Sequence, residues 1–139
     1  MIRMFFTLLF MLLLFCTCNR KQDYGQFLNQ QLKRRYFSYT CNYDTIIIIP
    51  REGCNACISE ANSFFRKNRN NNSYLFIFTK INSQKELRIT FGNEILNAEN
   101  VLIDKNNSFY IFDEANSNYP LILIKQVDNK FSFDQLNFY

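Results

Sequence analysis

Two stretches of the chain, Asp44-Thr45-Ile46-Ile47-Ile48-Ile49 and Tyr74-Leu75-Phe76-Ile77-Phe78-Thr79, run apolar almost without interruption and are rich in β-branched or aromatic residues. A strand with one wet face alternates, so unbroken runs predict strands covered on both faces, as in a parallel sheet. Between them, Cys57, Ile58, Ala61, Phe64 and Phe65 fall on one helical stripe, with Glu60, Asn62, Ser63, Arg66 and Lys67 turned away. Strand, helix and strand make a βαβ unit. Its expected right-handed crossover lays the helix on the sheet and starts it at the carboxyl edge of the first strand.

The flanking pattern completes one α/β domain. Phe27, Leu28, Leu32 and Tyr36 have helical spacing and predict an amphipathic helix over 24–36. Phe37, Tyr39, Cys41 and Tyr43 alternate with polar residues and predict a half-buried strand. Ser83-Gln84-Lys85-Glu86 reads as a capping box that opens a second helix through Leu87 and Phe91, ended by Gly92-Asn93. Val101–Ile103 and Phe109–Phe112 predict short strands, and Leu121–Ile124 and Lys130–Phe133 flank Asp128-Asn129 as a hairpin. No internal repeat is present.

The N-terminus follows a different logic. Arg3 precedes an apolar run from Phe5 to Phe15, and the chain turns polar after Cys16-Thr17-Cys18. This is a signal-peptide layout, too short to span a bilayer, which takes roughly 20 apolar residues. Residues 1–17 are therefore predicted to be a removable signal of the lipoprotein type, 18–23 a linker, and 24–139 one domain with room for a core. Small Thr17 before Cys18 marks Cys18 as the candidate for acylation, which would anchor the chain to a membrane of the cell envelope; ordinary secretion that discards Cys16 and Cys18 is the alternative. Export implies an oxidising, periplasmic setting.

Charge and composition exclude several classes. The net charge is +4, and the basic clusters Lys33-Arg34-Arg35 and Arg66-Lys67-x-Arg69 are short, so no nucleic-acid partner is expected. The chain has no histidine, which removes Ser-His-Asp and Cys-His nucleophile pairs and histidine-based metal sites. Zinc would have to rest on Cys41, Cys54, Cys57 and a carboxylate, a poor set, and no metal or cofactor is expected. Gly25, Gly53 and Gly92 form no phosphate loop. Enzymatic chemistry must then run through sulfur.

Cys54-Asn55-Ala56-Cys57 lies where the first buried strand turns into a helix. A thiol at a helix N-terminus meets unpaired backbone N–H groups and the positive end of the macrodipole, which favour its thiolate. Arg51 adds a favourable charge, and Glu52 an opposing one. Cys54 is thus the candidate attacking thiol, and Cys57, one turn in on the buried stripe, the resolving one. An inert disulfide is the bland alternative. Cys41 is expected to be a small buried hydrophobe.

Gly53-Cys54-Asn55-Ala56-Cys57, in this strand-to-helix setting, resembles the dithiol of the thioredoxin superfamily, whose cysteines cap the helix after a central strand. Tyr119-Pro120, before Leu121–Ile124, resembles that family's cis-proline dipeptide, which lies across from the dithiol and offers backbone hydrogen bonds to substrate. The resemblance implies a thioredoxin-like fold with a central mixed β-sheet flanked by helices. It implies thiol–disulfide exchange with exported protein thiols or disulfides, fed by a membrane electron donor, with Tyr119 and Pro120 as substrate-binding residues. Gly53 replaces the usual Trp, Asn55-Ala56 replaces Gly-Pro, and Ile48 stands where a buried acid is usual, which leaves Glu52 or Glu60 as candidates to take the Cys57 proton. The stretch from Phe91 to Phe112 suggests an insertion of the kind found in envelope thioredoxin-like proteins. The second functional class is a thioredoxin-fold lipoprotein whose disulfide is structural and whose aromatic surface holds a partner.

Overall fold

The two apolar runs form β1 (Thr45–Pro50) and β2 (Tyr74–Thr79), paired in parallel with Ile46 beside Leu75 and Ile48 beside Ile77. The structure, a computed structural model, describes residues 20–35, 42–110, 120–126 and 130–135. Strand alternation sends Ile46 and Ile48 to one face of the sheet and Ile47 and Ile49 to the other, and all four are buried. That two-sided burial is why the run lacks polar positions.

Between the strands, α2 (Asn55–Asn68) inserts Ala61 and Phe65 into the second face. After β2, α3 (Gln84–Phe91) covers the same face with Leu87 and Phe91, and a 3₁₀ segment (Asn93–Asn97) adds Ile95. Phe65 meets Phe76, Phe78 and Phe91 edge-on, with centroids 4.9, 5.2 and 4.9 Å away, the T-shaped geometry aromatic rings prefer. The other face is covered by α1 (Arg20–Arg35), whose Leu28 and Leu32 pack with Ile46, Ile48, Leu75 and Ile77.

Strand β3 (Val101–Ile103) joins β2 in parallel, β4 (Leu121–Lys125) joins β1 antiparallel, and β5 (Phe131–Gln135) joins β4 antiparallel. Among the described residues the sheet is thus five-stranded and mixed, in the order β3-β2-β1-β4-β5, with β1 in the middle. Helix α1 is tied to it by Asn29, whose side-chain amide donates to Phe131 O at 2.8 Å and accepts from Phe131 N at 2.9 Å. One side chain so satisfies two backbone groups of β5.

Several boundaries differ from the sequence prediction. Helix α1 begins at Arg20, so the backbone over 20–23 is helical where a linker was predicted. Arg, Lys and Gln are strong helix formers, and a search for an apolar stripe does not register a turn that lacks one. Of the strand predicted over 37–43, residues 37–41 lie outside the described residues; Tyr43 sits in the loop before β1, buried, its hydroxyl donating to Glu99 O at 2.9 Å. The strand predicted at 109–112 is not formed at Phe109 and Tyr110. The Asp104 carboxylate accepts the Phe109 N–H at 2.8 Å and Tyr110 N–H donates to Asn107 O at 3.2 Å, so the chain turns there and drops the Phe109 ring into the core. Residues 111 and 112 lie outside the described residues, as does the predicted Asp128-Asn129 turn, although the β4–β5 pairing it would join is present.

Candidate dithiol site

The loop from β1 to α2 is three residues long before Cys54, and Gly53 has φ +121°, a backbone region that favours glycine. Cys54 then serves as the N-cap of α2 with extended backbone (φ −64°, ψ 115°), and its Sγ accepts the Cys57 N–H at 3.3 Å. A sulfur takes the place of the usual capping oxygen. Cys54 is exposed and Cys57 half-buried, both as free thiols.

The two thiols are pushed apart in acidity. Cys54 is held below the ordinary thiol value, first by the hydrogen bond from the Cys57 thiol, then by the backbone N–H of Cys57; the N–H of Ala56 acts in the same direction, while burial and the Glu60 carboxylate oppose it. Cys57 is raised, first because its proton is shared with Cys54, then by burial and by the negative charge of Cys54. The arrangement makes the exposed thiol the readier of the two to ionise and its neighbour, one turn away, the readier to hold its proton. This is the division of labour that disulfide exchange needs.

Arg51 does not act on this thiolate as expected from sequence. Its Nε and Nη2 donate to Glu86 Oε1 at 3.2 and 2.7 Å, its Nη1 donates to Asn62 Oδ1 at 2.7 Å, and its guanidinium lies 5.7 Å from the Phe91 centroid. The charge is consumed in holding the loop to α2 and α3. Glu52 pairs with Lys80, Oε2 to Nζ 3.5 Å, and Glu60 is half-buried on α2.

Pro120 is buried immediately before Leu121, which pairs with Ile48. Continuing that register places Pro120 level with Ile49, at the same sheet edge as the Cys54 loop. Tyr119, Cys18 and Cys41 lie outside the described residues. Among the described residues no three His, Cys, Asp or Glu side chains are grouped as metal ligands would be, and no helix is long and apolar enough to cross a membrane.

The sequence did not single out Lys80, Asp104 or Asn107, which line the neighbouring carboxyl ends of β2 and β3. Their signal was positional, since side chains that follow parallel strands gather at one edge. Comparison with known proteins found no match among family models, curated proteins or solved structures.

Proposed function

We propose that this chain is a thiol–disulfide oxidoreductase with a thioredoxin-like domain, acting through Cys54 and Cys57 on exported protein thiols or disulfides of the cell envelope. The observation that carries the proposal is Cys54 itself: an exposed thiol capping the helix that follows the central strand, accepting a hydrogen bond from the half-buried Cys57 one turn on. The strand order, the parallel β1–β2 pair, the antiparallel β4 and the position of Pro120 support the family reading.

In the reductive direction the Cys54 thiolate attacks one sulfur of a partner disulfide. A mixed disulfide forms, and the other partner sulfur leaves as a thiolate that takes a proton. Cys57 then gives up its proton, attacks Cys54 Sγ and releases the partner's second thiol. Two electrons have passed to the partner and a Cys54–Cys57 disulfide remains, which a membrane dithiol donor reduces by the same exchange. Tyr119 and Pro120 hold the partner's backbone, and a lipid on Cys18 keeps the domain at the membrane; a Cys18→Ser chain should then leave the membrane fraction on cell breakage.

The test is the reduction potential of the Cys54–Cys57 pair, equilibrated against glutathione or dithiothreitol and read by alkylation and mass. Exchange catalysts span roughly −270 to −120 mV, whereas structural disulfides lie below about −300 mV. A value in the first range, with Cys57→Ser trapping mixed disulfides and Cys54→Ser inactive, is the expected result. A value below the second, with unfolding on reduction, would instead make the chain a stapled binding module.

A further inference from the structure

Beside the apolar stripe of α1, which sends Leu28 and Leu32 into the core, Gln26, Gln30, Lys33 and Arg34 form a second, polar stripe at helical spacing. Together with half-buried Phe27 it faces Lys130, at the head of β5, across a groove of about 550 Å³. Asn29 fixes this geometry through its two bonds to the Phe131 backbone. Lys33, Arg34 and Lys130 are all exposed, and among the described residues no carboxylate lines the groove and neither Lys33 nor Arg34 forms an ion pair. Three cations from two distant segments thus converge on a space without counter-charge, which attracts an anion. The side-chain amides of Gln26 and Gln30 add neutral N–H donors that phosphate oxygens can accept.

The groove lies at the sheet edge away from the dithiol. Thr45 pairs with Ile124 and Lys125 with Phe131, so Lys130 stands at the amino end of β1, whereas Cys54 follows its carboxyl end. Helix α1 begins at Arg20, two residues after Cys18, the proposed site of acylation. At a rise of about 1.5 Å per residue, Lys33 and Arg34 lie roughly 20 Å along the helix from that end, within reach of the same surface if α1 lies along it. We propose that this groove docks the domain onto the phosphate headgroups of an anionic bilayer, with α1 along the surface and the dithiol edge turned toward solvent. The docking rests on the membrane attachment proposed for this chain and is independent of its redox activity.

The experiment measures, by sedimentation, how the full chain carrying Cys18→Ser partitions onto vesicles of phosphatidylcholine with and without phosphatidylglycerol. The apolar run from Phe5 to Phe15 enters both, so the ratio of the two coefficients reads the charge. Lys33→Gln with Arg34→Gln should lower that ratio about 20-fold, roughly 5-fold for each charge removed from the surface. Lys85→Gln with Lys105→Gln removes as much charge from the exposed ends that follow β2 and β3, beside the dithiol, and should leave the ratio within about 2-fold, since charges beyond a Debye length are screened. An unchanged ratio in the first double variant, or an equal fall in the second, overturns the docking. Inorganic phosphate that displaces the chain from the anionic vesicles at constant ionic strength would make the groove a site for a free anion and overturns it equally. Alkylation of Cys54 by a membrane-impermeant maleimide, located by mass, should run as fast on the vesicles as in buffer; slowing on anionic vesicles overturns the outward orientation. These ratios are read without a lipid on residue 18, so they are distinct from a Cys18→Ser chain that stays in the cell's membrane fraction, which would defeat the anchor itself.

Discussion

Arg51 and Glu86 meet through one carboxylate oxygen, Glu86 Oε1 accepting from both Nε at 3.2 Å and Nη2 at 2.7 Å. Glu86 occupies the position of the capping box whose side chain would reach back to the N-cap backbone. Only half the box forms. Ser83 Oγ accepts the Glu86 N–H at 3.3 Å, while the Glu86 carboxylate turns to Arg51. With Asn62 on its third nitrogen, one guanidinium joins the loop after β1 to both helices on that face.

The Arg51 side chain is 7% exposed and that of Glu86 36%, so the tie is largely shielded from water on the arginine side. Arg51→Met should cost about 2 kcal/mol, the scale of hydrogen bonds to charged groups, kept below the cost of a fully buried broken pair because Glu86 can rehydrate. Arg51→Lys should recover only part of it, since an ammonium cannot fork between Glu86 and Asn62. Urea midpoints of the three chains measure this. The Cys54 alkylation midpoint should stay near wild type in Arg51→Met; a clear rise would mean that Arg51 acts on the thiolate after all.

Asp104 supports the opposite side of the site. Its Oδ2 accepts from the Thr79 hydroxyl and the Phe109 N–H, and Thr79 and Phe109 are fully buried. Asp104→Ala orphans both donors at about 1–3 kcal/mol each, so a loss of about 2–6 kcal/mol is expected. Asp104→Asn keeps an acceptor oxygen in place and should cost less. Amide exchange at Phe109 should speed up in the alanine variant, in step with the lowered urea midpoint. An alanine variant as stable as wild type would show that the turn stands without the carboxylate.

The parts of the fold visible in the sequence were those where one period ruled. The Ile46–Ile49 and Leu75–Phe78 runs announced a doubly covered parallel pair because every position is buried, successive ones on opposite faces, and the Ala61–Phe65 stripe placed α2. Cys54 at the helix start followed from those boundaries. What escaped was set by single long-range polar contacts that carry no periodicity. Phe109 and Tyr110 look like a strand until the Asp104 carboxylate, five residues back, bends the chain. Arg51 looks like a cation beside a thiolate until Glu86, 35 residues on, draws it away. Lys80 carries no local mark at all; only the meeting of β1 and β2 at one edge brings it to Glu52.

The unequal thiols predict an unusual pH dependence for the reduced protein. The folded pKa of Cys54 lies below its unfolded value, so its share of stability is present above the unfolded thiol pKa, about 8.5, and is lost as pH falls through the lower folded value. Cys57 runs the other way: its folded pKa is raised, so its share is present below the unfolded value and lost as pH rises through the folded one. Because the largest cause acting on Cys54 is the hydrogen bond from the Cys57 thiol, Cys57→Ala should raise the Cys54 alkylation midpoint, yet leave it below the ordinary thiol value, since the backbone N–H groups of residues 56 and 57 still face the sulfur. The same variant should lose the alkaline decline in urea midpoint that the raised Cys57 predicts for the reduced wild type. If Cys57→Ala leaves the Cys54 midpoint where it was, the thiol–thiol hydrogen bond is not what activates Cys54, and the helix N-terminus alone must account for its acidity.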